Sequence, residues 1–378
     1  RDGAPTVLVD LSPDNPNNTT GFNTGANPHP NSTTSWPGGA SGGVCDPAWH
    51  EVGRLGWGDI DINDDGTQLY AINMFDRALY IFNTADGSLV SRHVIPGVTD
   101  VFSVADGPTW AASTCTNDPD QDLRPMATSY RNGTVYVGIV CSAASTLDDE
   151  DLTAYVWEFD LMTSQYAASP LLEFGVGSNT DFSTDINDGG FGFRAWNPVG
   201  AAVTDNFAFG IPRPIVADID FDGDDMLIGI RNIQKDRLAG GRGTFLPDGM
   251  GNCTTTEQTI AIGGGPGGRV LRACDVYGTL IIESGGSCGG VMGFGVSAPS
   301  GGFGSINTFY EQEVRHRADY TGALAISPAT NEVLTTGNPG SNAGGVLYIN
   351  GAPDFSYELN DDLAQRQFTQ IYQFDFNP

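Results

Sequence analysis

The stretch GWGDIDINDDGTQLYAIN, Gly56–Asn73, combines two patterns that predict different structures. Isoleucine alternates with aspartate from Asp59 to Ile62, and a period of two is typical of a β-strand. The same stretch places oxygen-bearing side chains at alternate positions, as calcium loops do: Asp59, Asp61, Asn63 and Asp65. We interpret it as a strand followed by a turn, with a calcium site as the alternative.

A second stretch, DIDFDGDD, repeats the spacing further along the chain. Its oxygen-bearing residues are Asp218, Asp220, Asp222 and Asp224. Neither run has the glutamate that ends an EF-hand loop, because that place is Tyr70 in the first run and Gly229 in the second. We therefore prefer strand and turn in both, and keep calcium as the only cofactor predicted.

Both stretches belong to a repeated pattern in which a strand, a polar turn and a second apolar strand follow one another. Its other copies are RPMATSYRNGTVYVGIV and TGALAISPATNEVLTTGN. Arg124-Pro125 and Arg213-Pro214 open two copies 213 − 124 = 89 residues apart, about twice the ~40–50 residues of a propeller blade. Further hairpins follow some copies, so the sequence predicts an all-β propeller of about seven blades, with about six as second choice and very little helix.

The segment INDDGTQLYAINMFDRALYIFNTADGSLV resembles a blade of the secreted YVTN/NHL-type β-propellers. IPRPIVADIDFDGDDMLIGIRN, GGRVLRACD and GGVLYIN resemble the propeller-like region of large bacterial surface proteins that carry SdrD-B-like modules. This resemblance covers about residues 50–375 and implies an extracellular or cell-surface propeller of bacterial origin. It supplies no catalytic residue.

Composition divides the chain into two parts. Residues 1–45 are rich in Asn, Pro, Gly, Ser and Thr, which predicts an extended N-terminal arm whose first strand could close the propeller. Residues 46–378 form the predicted propeller. The first residues lack the basic-then-apolar order of a signal peptide, so we expect a processed end.

Cysteine usage indicates an oxidising compartment. The six cysteines are even in number and none lies in a CxxC pair, so we expect disulfides and an extracellular or cell-surface location. The count leaves the connectivity open. The predicted disulfide residues are Cys45, Cys115, Cys141, Cys253, Cys274 and Cys288.

The formal net charge of -29 limits the possible partners. There is no basic stripe to neutralise phosphates, so nucleic acid is excluded as a partner. No apolar segment approaches the ~20 residues of a membrane helix, so membrane insertion is excluded as well. The expected partners are other copies of the chain, other surface proteins, or glycans.

The catalytic motifs in the sequence lack the neighbouring structure and residues that their chemistry requires. GGSCG around Ser287 formally matches a nucleophile elbow, but it has neither the strand-to-helix turn nor an evident histidine. Carboxylates are too numerous to nominate a glycosidase pair. The sequence thus favours a non-enzymatic structural or adhesive protein of a bacterial surface or filament. The alternatives are a secreted glycosidase or lyase, or a glycan-binding propeller.

Overall fold

A computed structural model describes thirteen parts of the chain. They are residues 44–45, 51–98, 115, 122–177, 193–197, 213–233, 244–245, 269–283, 287–292, 320–326, 333–337, 345–349 and 372–373. Within these residues the regular structure is almost entirely β, and the 3-10 turn at Asp149–Asp151 is the one helical element that lies wholly among them. The prediction of an all-β chain with very little helix is confirmed.

Four antiparallel sheets, each with a four-stranded path, account for most of the strands. The first blade comprises β2 (Trp57–Ile62), β3 (Gln68–Asn73), β4 (Ala78–Asn83) and β5 (Leu89–Val94). The second comprises β6 (Leu123–Arg131), β7 (Thr134–Cys141), β8 (Thr153–Asp160), β9 (Gln165–Tyr166) and β10 (Leu172–Gly175). The third comprises β11 (Pro214–Asp222), β12 (Asp225–Asn232), β14 (Arg269–Asp275) and β15 (Leu280–Ile282). The fourth comprises β18 (Tyr320–Ile326), β19 (Val333–Gly337), β20 (Gly345–Ile349) and β21 (Tyr372–Gln373).

Short strands pair outside these blades. They are β1 (Val44–Cys45), β13 (Thr244–Phe245), β16 (Ser287–Cys288) and β17 (Val291–Met292). β1 pairs in parallel with β13, so the end of the N-terminal arm is attached to its own chain. Ser287 lies on β16, paired with Met292 of β17, and the local strand-to-strand turn is not a nucleophile elbow.

Each blade is a meander whose strands pair in chain order, apart from β9, which joins β8 beside the path. The first strand of each blade, the inner strand, contacts that of the next blade, in the order β2, β6, β11 and β18. This arrangement makes the fold a β-propeller. The described residues supply four blades, and the predicted number for the whole chain stays a prediction.

The hydrophobic core lies between blades, where alternate side chains of neighbouring sheets meet. Ile72 and Leu79 of the first blade pack in one cluster with Val137 and Trp157 of the second. A second cluster joins the second and third blades through residues such as Val156 and Ile228. Because one face of each sheet is buried against the next, the strand registers are firmly specified.

Two disulfides join described residues. Cys115 pairs with Cys141 at a Cα–Cα distance of 5.6 Å, and Cys274 pairs with Cys288 at 6.0 Å. Cys253 lies outside the described residues, and only the backbone pairing is described for Cys45. A bond involving these two cysteines stays a prediction.

Candidate functional site

Four aspartates of the two repeated runs lie on inner strands. Asp59 and Asp61 belong to β2, and Asp218 and Asp220 belong to β11. In each strand a β-bulge shifts the register just before or at the first aspartate, between Trp57 and Ile60 and between Val216 and Asp218. We call these four residues the axial aspartates.

The first pair bonds to the second blade. The backbone N–H of Thr128 donates to Asp59 Oδ2 at 3.2 Å, and that of Tyr130 donates to Asp61 Oδ2 at 2.5 Å. Both donors lie on β6, whose inner edge has no neighbouring strand in its own blade. A buried N–H without an acceptor is costly. The two carboxylates therefore provide the hydrogen-bond acceptors that the carbonyl groups of a further strand would have provided.

The second pair repeats this contact on the fourth blade. Leu324 N–H donates to Asp218 Oδ2 at 2.5 Å, and Ile326 N–H donates to Asp220. The first blade therefore binds the inner edge of the second, and the third binds that of the fourth, through the same kind of hydrogen bond from backbone N–H to aspartate.

Each axial aspartate also accepts an N–H from the next residue of its own strand. Ile62 donates to Asp61 Oδ1, Ile219 to Asp218 Oδ1 and Phe221 to Asp220 Oδ1, all at 2.7 Å. Ile60 donates to Asp59 in the same way. One carboxylate thus joins the inner edges of two adjacent blades.

The side chains of Asp59 and Asp218 lie close enough for each to shift the pKa of the other. Two carboxyl groups hydrogen-bond to each other only when one of them carries a proton. Burial raises the pKa of Asp59, and burial together with the charge of Asp59 raises the pKa of Asp218. We infer one shared proton between blades one and three at neutral pH.

The other predicted calcium ligands lie in turns. Asn63 Oδ1 accepts the N–H groups of Thr67 and Gln68, both at 2.9 Å. Asp65 Oδ1 accepts Thr67 N–H at 3.0 Å and Thr67 Oγ1–H at 2.6 Å. These two side chains organise the β2–β3 turn, whereas the axial aspartates hold the strands.

The second run divides in the same way. Asp222 ends β11 opposite Asp225, with Gly223 at a φ of 61° in the turn between them. Asp224 is exposed, and its Oδ1 lies 2.9 Å from Nη2 of Arg131. The Arg131 guanidinium carbon lies 4.6 Å from the centroid of the Phe221 ring. Among the described residues no three acidic groups from these runs lie within 4.8 Å of one another. Calcium at either run stays a prediction.

Sequence reasoning missed a set of buried arginines near the starts of three inner strands and of β4. They are Arg54, Arg77, Arg124 and Arg213. Arg54 donates to the carbonyl oxygen of Asn197 at 2.8 Å and lies 5.5 Å from the Trp196 ring centroid. Burial lowers the pKa of Arg54 to about 10, and burial and the charge of Arg54 lower that of Arg124. The Arg-Pro dipeptides marked two members of this set, Arg124 and Arg213.

Comparison with known proteins places the chain beside two curated proteins of Dictyostelium discoideum. It is 28% identical to colossin-A over 273 residues and 26% identical to colossin-D over 290 residues, which are 68% and 75% of this chain. The matched regions span only 2% and 25% of those proteins. No family model matches the chain. The predicted bacterial origin and resemblance to SdrD-B-bearing proteins stay predictions.

Solved structures give distant likenesses. A calcium-binding regucalcin from Agrobacterium tumefaciens is 11% identical, with a TM-score of 0.27 over 79% of this chain and 72% of that one. Semaphorin 1a from Drosophila is 9% identical, with a TM-score of 0.25 over 77% and 52%. The fold assignment therefore rests on the strand pairing above. In the described part of the chain, no helix has the length and apolarity needed to cross a bilayer.

Proposed function

We propose that this chain is a non-enzymatic structural or adhesive propeller of an extracellular assembly. The observation that carries the proposal is the use of the axial aspartates. The most buried carboxyl groups of the two runs accept hydrogen bonds from backbone N–H groups of neighbouring blades, and two of them, Asp59 and Asp218, lie close enough to shift each other's pKa.

Carboxylate enzymes arrange such groups differently. A glycosidase holds its two carboxyl groups about 5–10 Å apart, with the sugar between them. An aspartic protease pair also shares a proton, but it must present that proton to a substrate and a water. Here Asp218 Oδ1 accepts Ile219 N–H and Asp218 Oδ2 accepts Leu324 N–H, so both oxygens are bonded to the backbone. This geometry supports a structural role over the carbohydrate-active alternative.

The disulfides support the extracellular part of the proposal. Cys115–Cys141 and Cys274–Cys288 join residues 26 and 14 positions apart. Such bonds persist in oxidising compartments and are rare in the cytosol. Each adds typically about 2–4 kcal/mol to the free energy of unfolding.

As the partner in this role we propose a second copy of the same chain. The arm before β1 is poor in apolar residues, so ordering it at about 1–2 kcal/mol per residue requires contacts with another surface. Pairing of β1 with β13 attaches the end of the arm to its own chain, and in our proposal residues 1–43 contact a second copy. A head-to-tail contact of this kind that does not close produces a filament.

Light scattering tests this proposal on the full chain and on a chain that lacks residues 1–43 and keeps β1. A third protein replaces residues 12–43 with a Gly-Ser segment of equal length. We expect masses above the 39.9 kDa monomer for the full chain alone, at physiological ionic strength, where the charge of -29 is screened. Monomers in all three preparations, with and without calcium, would exclude the arm from assembly.

A further inference from the structure

The hairpin between β6 and β7 carries a feature that the propeller itself does not require. Its loop reads Asn132-Gly133-Thr134, which is the acceptor sequence for N-glycosylation. The chain contains four more such sequences, at Asn17, Asn18, Asn31 and Asn252. Asn132 is the acceptor residue whose surroundings the structure describes.

The geometry of the loop leaves the Asn132 side chain accessible. Arg131 and Thr134 form the last pair of the ladder, so Asn132 and Gly133 are the two residues of the loop. Their φ angles of 50° and 85° are those of a type I′ turn, which suits the right-handed twist of a hairpin. Asn132 is exposed at the tip of this loop.

The next hairpin of the same blade and the turn of the third blade fix the base of the loop without covering its tip. The Leu161 N–H of the next hairpin donates to the Gly133 carbonyl at 3.2 Å. On the other side Arg131 pairs with Asp224 at 2.9 Å. A bulky group on Asn132 would therefore extend into solvent.

The fold explains Asn132 and Gly133 but not the residue that completes the acceptor sequence. Asn-Gly is the favoured pair for a type I′ turn, so these two residues need no further reason. Thr134 begins β7, where the corresponding first residue of β12 is Asp225. The hairpin does not demand a hydroxyl at this place, whereas the acceptor sequence does.

We propose that Asn132 carries an N-linked oligosaccharide. In the transfer, the Asn132 amide nitrogen forms a bond to the anomeric carbon of a lipid-linked oligosaccharyl diphosphate. The bond from that carbon to the diphosphate oxygen breaks, the lipid diphosphate leaves with the bonding electrons, and the amide nitrogen loses one proton to a base. The oligosaccharide would then cover the surface around the β6–β7 turn, on the propeller face that carries the turns between the first and second strands of the blades.

Peptide mapping by mass spectrometry tests the assignment on the full chain, secreted from a eukaryotic host. Thr134→Ala removes the acceptor sequence and keeps Asn132, and Thr134→Ser retains both. We expect an oligosaccharide on Asn132 in the parent and in Thr134→Ser, and none in Thr134→Ala. Near-ultraviolet circular dichroism confirms that each protein is folded.

A co-secreted glycoprotein of known occupancy serves as the internal standard. An unmodified Asn132 in the folded parent, beside a fully occupied standard, would overturn the proposal. So would sugar that persists on Asn132 in Thr134→Ala. Asn132→Asp, which also tolerates a positive φ, gives a second variant in which the peptide must lose its sugar.

Discussion

At the scale of the residue, aspartate suits the inner strands because its short side chain reaches backbone donors on both sides. Asp61 Oδ1 accepts from its own strand, and Oδ2 accepts from β6. Burial raises the pKa of Asp61 and Asp220, as it does that of Asp59 and Asp218. The carboxyl groups are thus held at a cost in desolvation that hydrogen bonds to the backbone offset.

The shared proton predicts a pH dependence of stability. A carboxyl group whose folded pKa is raised contributes stability that is complete below the unfolded value of about 4 and is lost as the pH rises through the folded pKa. The free energy of unfolding should therefore fall as the pH rises from about 4 towards about 9.

Asp59→Asn isolates the contribution of this pair. The amide keeps one oxygen for a backbone N–H and donates to Asp218 without a titrating proton. Urea unfolding across the pH range should give a flatter curve for Asp59→Asn than for the parent, and the difference between the curves removes the effect of all other groups. Two parallel curves would exclude a proton shared by Asp59 and Asp218.

At the scale of the element, the inner strands approach each other closely at their bulges. A Cβ on Gly58 of β2 would lie 2.6 Å from the carbonyl oxygen of Met126 and 3.0 Å from its Cα. Met126 occupies the bulge of β6, between Pro125 and Ala127. These are backbone atoms, so a change of rotamer cannot relieve the contact.

Gly58→Ala should accordingly destabilise the protein by about 1–3 kcal/mol, because the two inner strands must separate. Denaturant unfolding measures the loss, with the exposed Asp64→Ala as the surface reference. A free energy of unfolding equal to that of Asp64→Ala would contradict the close contact between Gly58 of β2 and the Met126 backbone of β6.

The elements were predictable where the pattern is local. Alternation of apolar and polar residues predicted the β2–β3, β6–β7, β11–β12 and β18–β19 hairpins, and all four form. The repeat was less well predicted. The Arg-Pro dipeptides are 89 residues apart, but the equivalent ladder positions Ala127 and Asp218 are separated by 218 − 127 = 91. The dipeptides thus occupy different places in their blades.

The candidate site was predictable in its residues and not in its contacts. The strand-and-turn interpretation placed Asp59 and Asp61 on one side of a strand. It could not show that their partners are N–H groups of β6, 69 positions away. Nearly every residue has a backbone N–H, so the sequence does not distinguish the residues that donate. The meeting of Asp59 with Asp218 depends in the same way on how the blades are arranged.

At the scale of the whole molecule, the axial aspartates connect the blades in pairs, the first to the second and the third to the fourth. In a cooperative domain, loss of such a contact lowers the free energy of unfolding of the whole chain. This separates a structural aspartate from a calcium ligand, because the structural contact acts with or without the ion.

Denaturant unfolding of Asp61→Ala, with calcium and with a chelator, tests the structural role of the axial aspartates most directly. Two backbone N–H groups lose their acceptor, so we expect a loss of about 1–3 kcal/mol that is equal in both conditions. Asp64→Ala, which removes an exposed carboxylate from the same hairpin, should stay within about 0.5 kcal/mol of the parent. A loss for Asp61→Ala that appears only with calcium, or no loss beyond that of Asp64→Ala, would contradict this account.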